Sequence, residues 1–265
     1  YLILKPTVPD GTHEIIDQKF NWLLEHEPNP GNNILPRLPE LNLILESPEV
    51  RGAMISLLGE DYVVHSHRYW HYLSPSDLDP DDHEATWKQV QSQGHQDSYS
   101  PSGQPKCHYM RYARFMYYSH EVEQVHGPTH VIPGSQYHAV LTDEDRARAI
   151  PVAGRAGTVF ISHFDLGHAA GVNFSDRVRN MIKFIFMRGA EPRQPTWNCR
   201  STAFQKPAHR AAPYDLEAAW RHHWFWLCGK SSTADSGPIR SAADALATLA
   251  SEDIHERLQA LNALA

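Results

Sequence analysis

Cysteine is scarce. The chain of 265 residues holds three, Cys107, Cys199 and Cys228, with neither zinc-ligand spacing nor a disulfide framework. A reducing, cytoplasmic compartment is therefore expected, although the chain opens on Tyr1 rather than Met, which leaves a removed signal peptide open. No apolar run reaches the length of a membrane span, so no membrane association is expected. An excess of positive charge is also missing. There are 24 Lys and Arg against 31 Asp and Glu, a net charge of −7 and a pI near 6.2. That balance offers no surface to nucleic acid or to anionic lipid. Strands do not alternate with helices, which argues against a parallel nucleotide-binding sheet.

What is present suits one large domain with a real core: 41% of residues are hydrophobic. Residues 12–26 read as a helix, with Ile15, Ile16, Phe20, Leu23 and Leu24 on one stripe. A second helix runs to Gly59, with Ser47 as its expected cap, Pro48 in its first turn and a stripe of Val50, Met54, Leu57 and Leu58. Strands are expected over 62–73, 112–119, 129–132, 157–162 and 180–187, all rich in aromatic and β-branched residues. The first would place His65, His67, Tyr69 and His71 on one face, either toward a ligand or toward solvent. Residues 74–84 read as an acidic loop, 133–135 (Pro-Gly-Ser) as a turn and 143–149 as a charged helical turn. The expected fold class is mainly β with flanking helices, the strands closing into a two-sheet jelly roll.

After Gly189 the pattern changes. A helix is expected over 214–228, and 230–237 reads as a linker. Two apolar-patterned stretches follow within 238–265 and resemble one unit of a HEAT repeat. One such unit cannot bury its own face, so contact with a further repeat or a protein partner is expected there. The expected organisation is a domain over 1–230, with its jelly-roll core at about 60–190, followed by that helical hairpin.

Histidine is abundant, at 18 residues. Two imidazoles and one carboxylate on one face of an octahedron suit a non-haem Fe(II) centre that keeps positions open for a 2-oxo acid and dioxygen. His95 and Asp97, two apart, share a side of an extended strand, and a third ligand must come from elsewhere, with His168 the candidate. His163-Phe164-Asp165 repeats the His-x-Asp pattern, and spacing alone does not choose between the pairs.

Four stretches fall in a telling order: Gly94–Asp97 (GHQD), Gly127–Ser135 (GPTHVIPGS), Gly157–Phe160 (GTVF) and His168–Arg179 (HAAGVNFSDRVR). Together they resemble the phytanoyl-CoA dioxygenase family of Fe(II)/2-oxoglutarate oxygenases, over roughly residues 60–190. The resemblance implies a double-stranded β-helix, a cupin-like jelly roll, with Fe(II) held by His95, Asp97 and His168. It favours His168 over His163, because Asn173, Ser175 and Arg179 follow His168 at the family's spacing. It implies that Arg179, eleven positions after His168, grips the distal carboxylate of 2-oxoglutarate; a planar guanidinium suits that task. Arg177 is the near rival, and Met116 lies where some members place a residue against the co-substrate. The implied reaction consumes O2 and 2-oxoglutarate, releases succinate and CO2, and hydroxylates a small organic molecule. His126, Gln136 and Ala170 depart from the family's usual residues, and Asp97 disfavours halogenation, since related halogenases lack that carboxylate. A cupin-like metal-binding or sensing module without turnover is the rival reading. Arg179 separates the two, because a mere metal binder needs no carboxylate clamp.

Overall fold

A computed structural model describes residues 1–97, 109–138, 140–197, 202–206, 215–230, 241–253, 256, 257 and 260. Its first elements are the edge strand β1 (Leu2–Leu4) and the helices α1 (Thr12–His26), α2 (Ile34–Arg37), α3 (Leu41–Leu45) and α4 (Pro48–Leu58). Strand β2 (Val63–Leu73) leads through a loop to helix α5 (His83–Ser92). Then come β3 (Tyr112–Tyr117), β4 (Thr129–Val131), α6 (Asp143–Ala147), β5 (Ile150–Val152), β6 (Val159–His163), β7 (His168–Ala170) and β8 (Arg179–Met187). Helices α7 (Glu217–Leu227) and α8 (Ala242–Thr248) complete the described elements.

The strands form two antiparallel sheets, one ordered β1-β6-β3-β8-β2 and one ordered β5-β4-β7. This is the expected jelly roll, and strand alternation explains how it is built. Phe115 and Tyr117 of β3, Val159 and Ile161 of β6, and Ile182, Phe184 and Phe186 of β8 face outward. They pack under Ile16, Phe20 and Leu23 of α1 and Val50, Met54 and Leu58 of α4 in one core. Full burial of each such side chain contributes roughly 1.5–3 kcal/mol. The intervening residues Met116, Tyr118, Phe160 and Met181 turn inward and meet Val131 and Val152 of the small sheet. Because both faces of β8 are covered, its sequence reads as a nearly continuous apolar run. One polar anchor crosses the outer core: the Trp70 indole, stacked on Phe20 at 4.9 Å, donates to Asn180 Oδ1 at 3.1 Å.

The structure departs from expectation in particular places. Ser47 does not cap α4; its hydroxyl donates to the Ile44 carbonyl at 2.9 Å, inside the tight α3–α4 connection. Helix α5 occupies 83–92, where the reading stopped at an acidic loop; Asp82 caps it by accepting from the Ala85 amide at 2.9 Å. The pairing of β2 with β8 slips between Val64 and Arg68, so His65 and His67 do not simply continue the face of Tyr69 and His71. In the tail, α8 lies within the first apolar stretch. The residues of the second stretch on which the repeat reading rests, Ile254, Leu258, Leu261 and Leu264, lie outside the described residues, as do Cys107 and Cys199. Among the described residues no helix is long and apolar enough to cross a membrane.

Candidate active site

Three loops at one end of the small sheet are tied together through backbone and polar side chains. His95 pairs with His168 as an isolated antiparallel bridge, each amide donating to the other's carbonyl at 3.0 Å. The segment after α5 thus lies along β7, and a ligand pair distant in sequence becomes adjacent. Gln96 points to the opposite side from its neighbours, and its Nε2 donates to the carbonyls of Ser135 (2.8 Å), Asp165 (3.1 Å) and His138 (3.2 Å). Ser135, at the end of the Pro-Gly-Ser turn, donates to the Ile132 carbonyl at 2.6 Å and accepts from the Gly167 amide at 2.8 Å. A Cβ on Gly167 would stand 2.9 Å from that hydroxyl, which explains the glycine just before His168.

Within this frame His95, Asp97 and His168 come together, and one donor atom from each lies within 4.8 Å of the others. Among the described residues they form the one group able to surround a metal ion. His95 Nε2 is 3.5 Å from Asp97 Oδ1, and His168 Nε2 is 3.9 Å from Asp97 Oδ2. The other ring nitrogens are occupied: His95 Nδ1 donates to the Gln93 carbonyl at 2.7 Å and His168 Nδ1 to the Leu166 carbonyl at 3.1 Å. Carbonyls only accept, so each Nδ1 carries a proton; this leaves Nε2 of His168 with its lone pair, and Nε2 of His95 offers one once it gives up the proton it shares with Asp97. The donor set and its orientation fit a divalent transition metal.

The rival triplet plays a different part. His163 Nδ1 accepts from the Asp165 amide at 3.1 Å, and its Nε2 lies 3.3 Å from the Tyr109 carbonyl, so it braces the β6 turn and stays outside the cluster.

Two further residues, not singled out in the sequence, hold Asp97. Arg114, fully buried on the inner face of β3, donates to Asp97 Oδ2 at 2.9 Å and to the carbonyls of Phe164 and Leu166. The Leu166 carbonyl also orients His168, so one guanidinium links two members of the cluster. Lys183 Nζ approaches Asp97 Oδ2 at 3.5 Å. Burial opposes ionisation of the Asp97 carboxyl, but the hydrogen bond with His95 and the charges of Arg114 and Lys183 outweigh it and hold the group well below the usual carboxylate range. The hydrogen bond with Asp97 raises His95, whereas burial and then Arg114 keep His168 neutral. The signal for both cations was a basic residue on the inward side of an otherwise apolar strand, in YARFMY and in NMIKFIFM.

Arg179 opens β8 and is only 2% exposed. Its Nε and Nη1 are buried and have no partner among the described residues. Arg177, the near rival, is turned away and pairs with Asp17 of α1 at 2.9 Å. The turn between them and β7 is stapled by Asn173, which donates to the carbonyls of Leu73 (2.9 Å) and Arg177 (2.8 Å) and accepts from Ser175. Gly127, at φ +66°, lets the preceding loop press on this turn: a Cβ there would lie 2.8 Å from Val172. Met116 sits on the inner wall in register with Lys183 and Phe160, within the apolar cluster.

The described arrangement provides a metal-sized gap between three donors, an unmatched buried guanidinium further along the inner wall, and a cationic carboxylate clamp beside the gap. A family model described as "Phytanoyl-CoA dioxygenase (PhyH)" matches residues 37–181, more than half of the chain. No curated protein sequence matches significantly. Among solved structures, HygX from Streptomyces hygroscopicus, with nickel and 2-oxoglutarate bound, superposes with a TM-score of 0.53 at 12% identity, over 75% of this chain and 87% of that one. The epimerase SnoN, in complex with Fe3+, alpha ketoglutarate and nogalamycin RO, gives 0.53 at 14% identity, over 82% and 91%. EvdMO1 gives 0.51 at 18% identity over 71% of this chain, which spans only 47% of that protein. At such identities the likeness establishes the shared fold.

Proposed function

The chain belongs to the phytanoyl-CoA dioxygenase family, and from that premise we propose that it is an Fe(II)/2-oxoglutarate-dependent oxygenase that hydroxylates a small organic molecule, with release of succinate and CO2. The observation that carries this reading is the pairing of a metal-competent cluster, His95, Asp97 and His168, with the unmatched guanidinium of Arg179 on β8, the strand whose Lys183 also approaches Asp97. A module that only stored or sensed a metal would have no use for that second feature. The SnoN and HygX structures, with iron or nickel and the 2-oxo acid bound together, support the same pairing of cofactors here.

His95, Asp97 and His168 would hold the Fe(II), and Arg179 would hold the distal carboxylate of 2-oxoglutarate through parallel hydrogen bonds. Met116 would pack against the co-substrate chain. When bound, the metal supplies dioxygen activation coupled to oxidative decarboxylation of the 2-oxo acid. The protein's own residues do the rest. Arg114 keeps Asp97 ionised and turned to the gap. The Gln93 and Leu166 carbonyls hold both imidazoles in the ligating tautomer. The apolar inner wall of Met116, Phe160 and Met181 excludes water from the co-substrate. SnoN is described as an epimerase and SnoK as a carbocyclase, so product analysis must decide the outcome at the substrate carbon.

The test is succinate formation from 2-oxoglutarate with Fe(II) in air. His95→Ala and Asp97→Ala should abolish it, while His163→Ala should retain most of it. Wild-type turnover in either of the first two variants, or loss confined to the third, would show that the ligands are wrongly assigned.

A further inference from the structure

We propose that Lys183 anchors an anionic group of the primary substrate, so that the molecule oxidised here is an organic acid bound by its carboxylate; this rests on the oxygenase reading above.

The inner face of β8 carries two cations four residues apart, Arg179 and Lys183, separated by about 13 Å of strand at ~3.3 Å per residue. The first belongs to the co-substrate end. The second stands beside the metal cluster, where a reacting carbon must also come. Its side chain is nine-tenths buried, and its ammonium makes one hydrogen bond among the described residues, the 3.5 Å approach to Asp97 Oδ2. That oxygen already accepts the better bond from Arg114 at 2.9 Å. Lys183 therefore shares its one recorded acceptor with Arg114 and has no carboxylate of its own among the described residues. The connecting segment 98–108, which follows the cluster in sequence, contains no Asp or Glu to supply one.

Charge balance points the same way. Arg114, Arg179 and Lys183 face Asp97 as the one carboxylate among the described residues acting on Lys183. With a divalent ion bound, the Asp97 carboxylate and the dianion of 2-oxoglutarate still leave the cavity net positive. A neutral or cationic substrate would leave that buried charge unmatched, which is costly. The neighbouring strand of the same sheet completes a cradle. Tyr69 of β2 pairs in register with Lys183, and His71 pairs with Met181. His71 is held neutral, to about 3, first by burial and then by Lys183 and Arg179. A neutral imidazole beside an ammonium can donate to a second carboxylate oxygen without adding charge.

Calorimetry on the full chain loaded with Ni(II) and 2-oxoglutarate, which binds without turnover, tests this with matched pairs: octanoate against octanamide, and phenylacetate against phenylacetamide. The acid of at least one pair should bind about 30-fold or more tighter than its amide, the lower end for a buried charge contact. Lys183→Met should erase that preference and Lys183→Arg should keep part of it. Equal binding of acid and amide in both pairs, or a preference that survives Lys183→Met, overturns the proposal. Titrating 2-oxoglutarate into the Ni(II)-loaded protein separates the two readings. If it does not bind, the oxygenase reading falls. If it binds, and Lys183→Met weakens it as much as Arg179→Met does, Lys183 serves the co-substrate and only the proposal falls.

Discussion

Replacing Arg179 by Met should make the empty protein more stable and the loaded protein less so. The guanidinium is 2% exposed, burial lowers its pKa, and no carboxylate among the described residues compensates it. Methionine fills a similar volume without the charge. Exchanging buried charge for well-packed apolar groups gains about 1–4 kcal/mol in comparable cases. For a chain of this size, each kcal/mol is worth roughly 2–4 °C in Tm, so the metal-free, co-substrate-free variant should melt several degrees above wild type. Ligand binding reverses the order. Removing one partner of a buried charge-assisted pair costs about 2–5 kcal/mol, or roughly 30- to 4,000-fold in Kd at 1.4 kcal/mol per tenfold. Wild type at a co-substrate concentration of 100 Kd should gain ~2.7 kcal/mol, and the variant almost none. Thermal melts with and without Ni(II) and 2-oxoglutarate, together with a direct titration, measure both effects. An Arg179→Met protein that melts well below wild type when empty, yet shifts as far on adding 2-oxoglutarate, would refute the assignment of this side chain as a vacant anion clamp.

Two further outcomes follow from neighbouring groups. Arg114→Met should weaken metal affinity about 10- to 100-fold, as loss of a group that orients ligands does, because it releases Asp97 and the Leu166 carbonyl together; competition with a chelator reads this, and unchanged affinity would remove Arg114 from the site. Asp145→Ala should lower stability by about 1–3 kcal/mol at neutral pH, since its carboxylate accepts from the Thr142 amide and hydroxyl and from His138. Burial alone would raise that carboxyl, but these bonds hold it below its ordinary value. The contribution is thus present above the usual carboxylate range, near ~4, and is lost as the pH falls through the lowered folded value. Urea melts of both proteins should therefore converge in acid, and a gap that widened there would contradict the sign.

Where one periodicity dominates, the residues announced the fold. The stripe of α1 and the Pro48 start of α4 were readable because each helix presents one apolar face to a sheet. β3, β6 and β8 were readable because aromatic and β-branched residues fill them. β1, β5 and β7 were not, as three residues carry no period and owe their shape to the strands they pair with, whereas the equally short β4 was marked by the Pro-Gly-Ser turn that follows it. Helix α5 hid behind acidic neighbours with little more than Trp87 and Val90 to mark its inner side. At the site, the cluster residues and Arg179 stood out through their order along the chain. Arg114 and Lys183 did not, because a basic residue in a strand declares a partner only once the opposite loop is folded against it. The slip in β2 likewise arises from its pairing with β8 and left no mark in its own residues.

The alternation along β8 has a consequence for how this chain can change. Odd-numbered positions from 179 to 185 face inward and even-numbered ones the helical layer, so a single inserted residue before the strand would trade both cations for Val178 and Ile182 and send charge into the grease. The Asn173 staple fixes the length of the lead-in, and lengthening it is forbidden by the same bonds that aim Arg179. An extra residue is accommodated instead in the edge strand β2, whose pairing with β8 already slips between Val64 and Arg68.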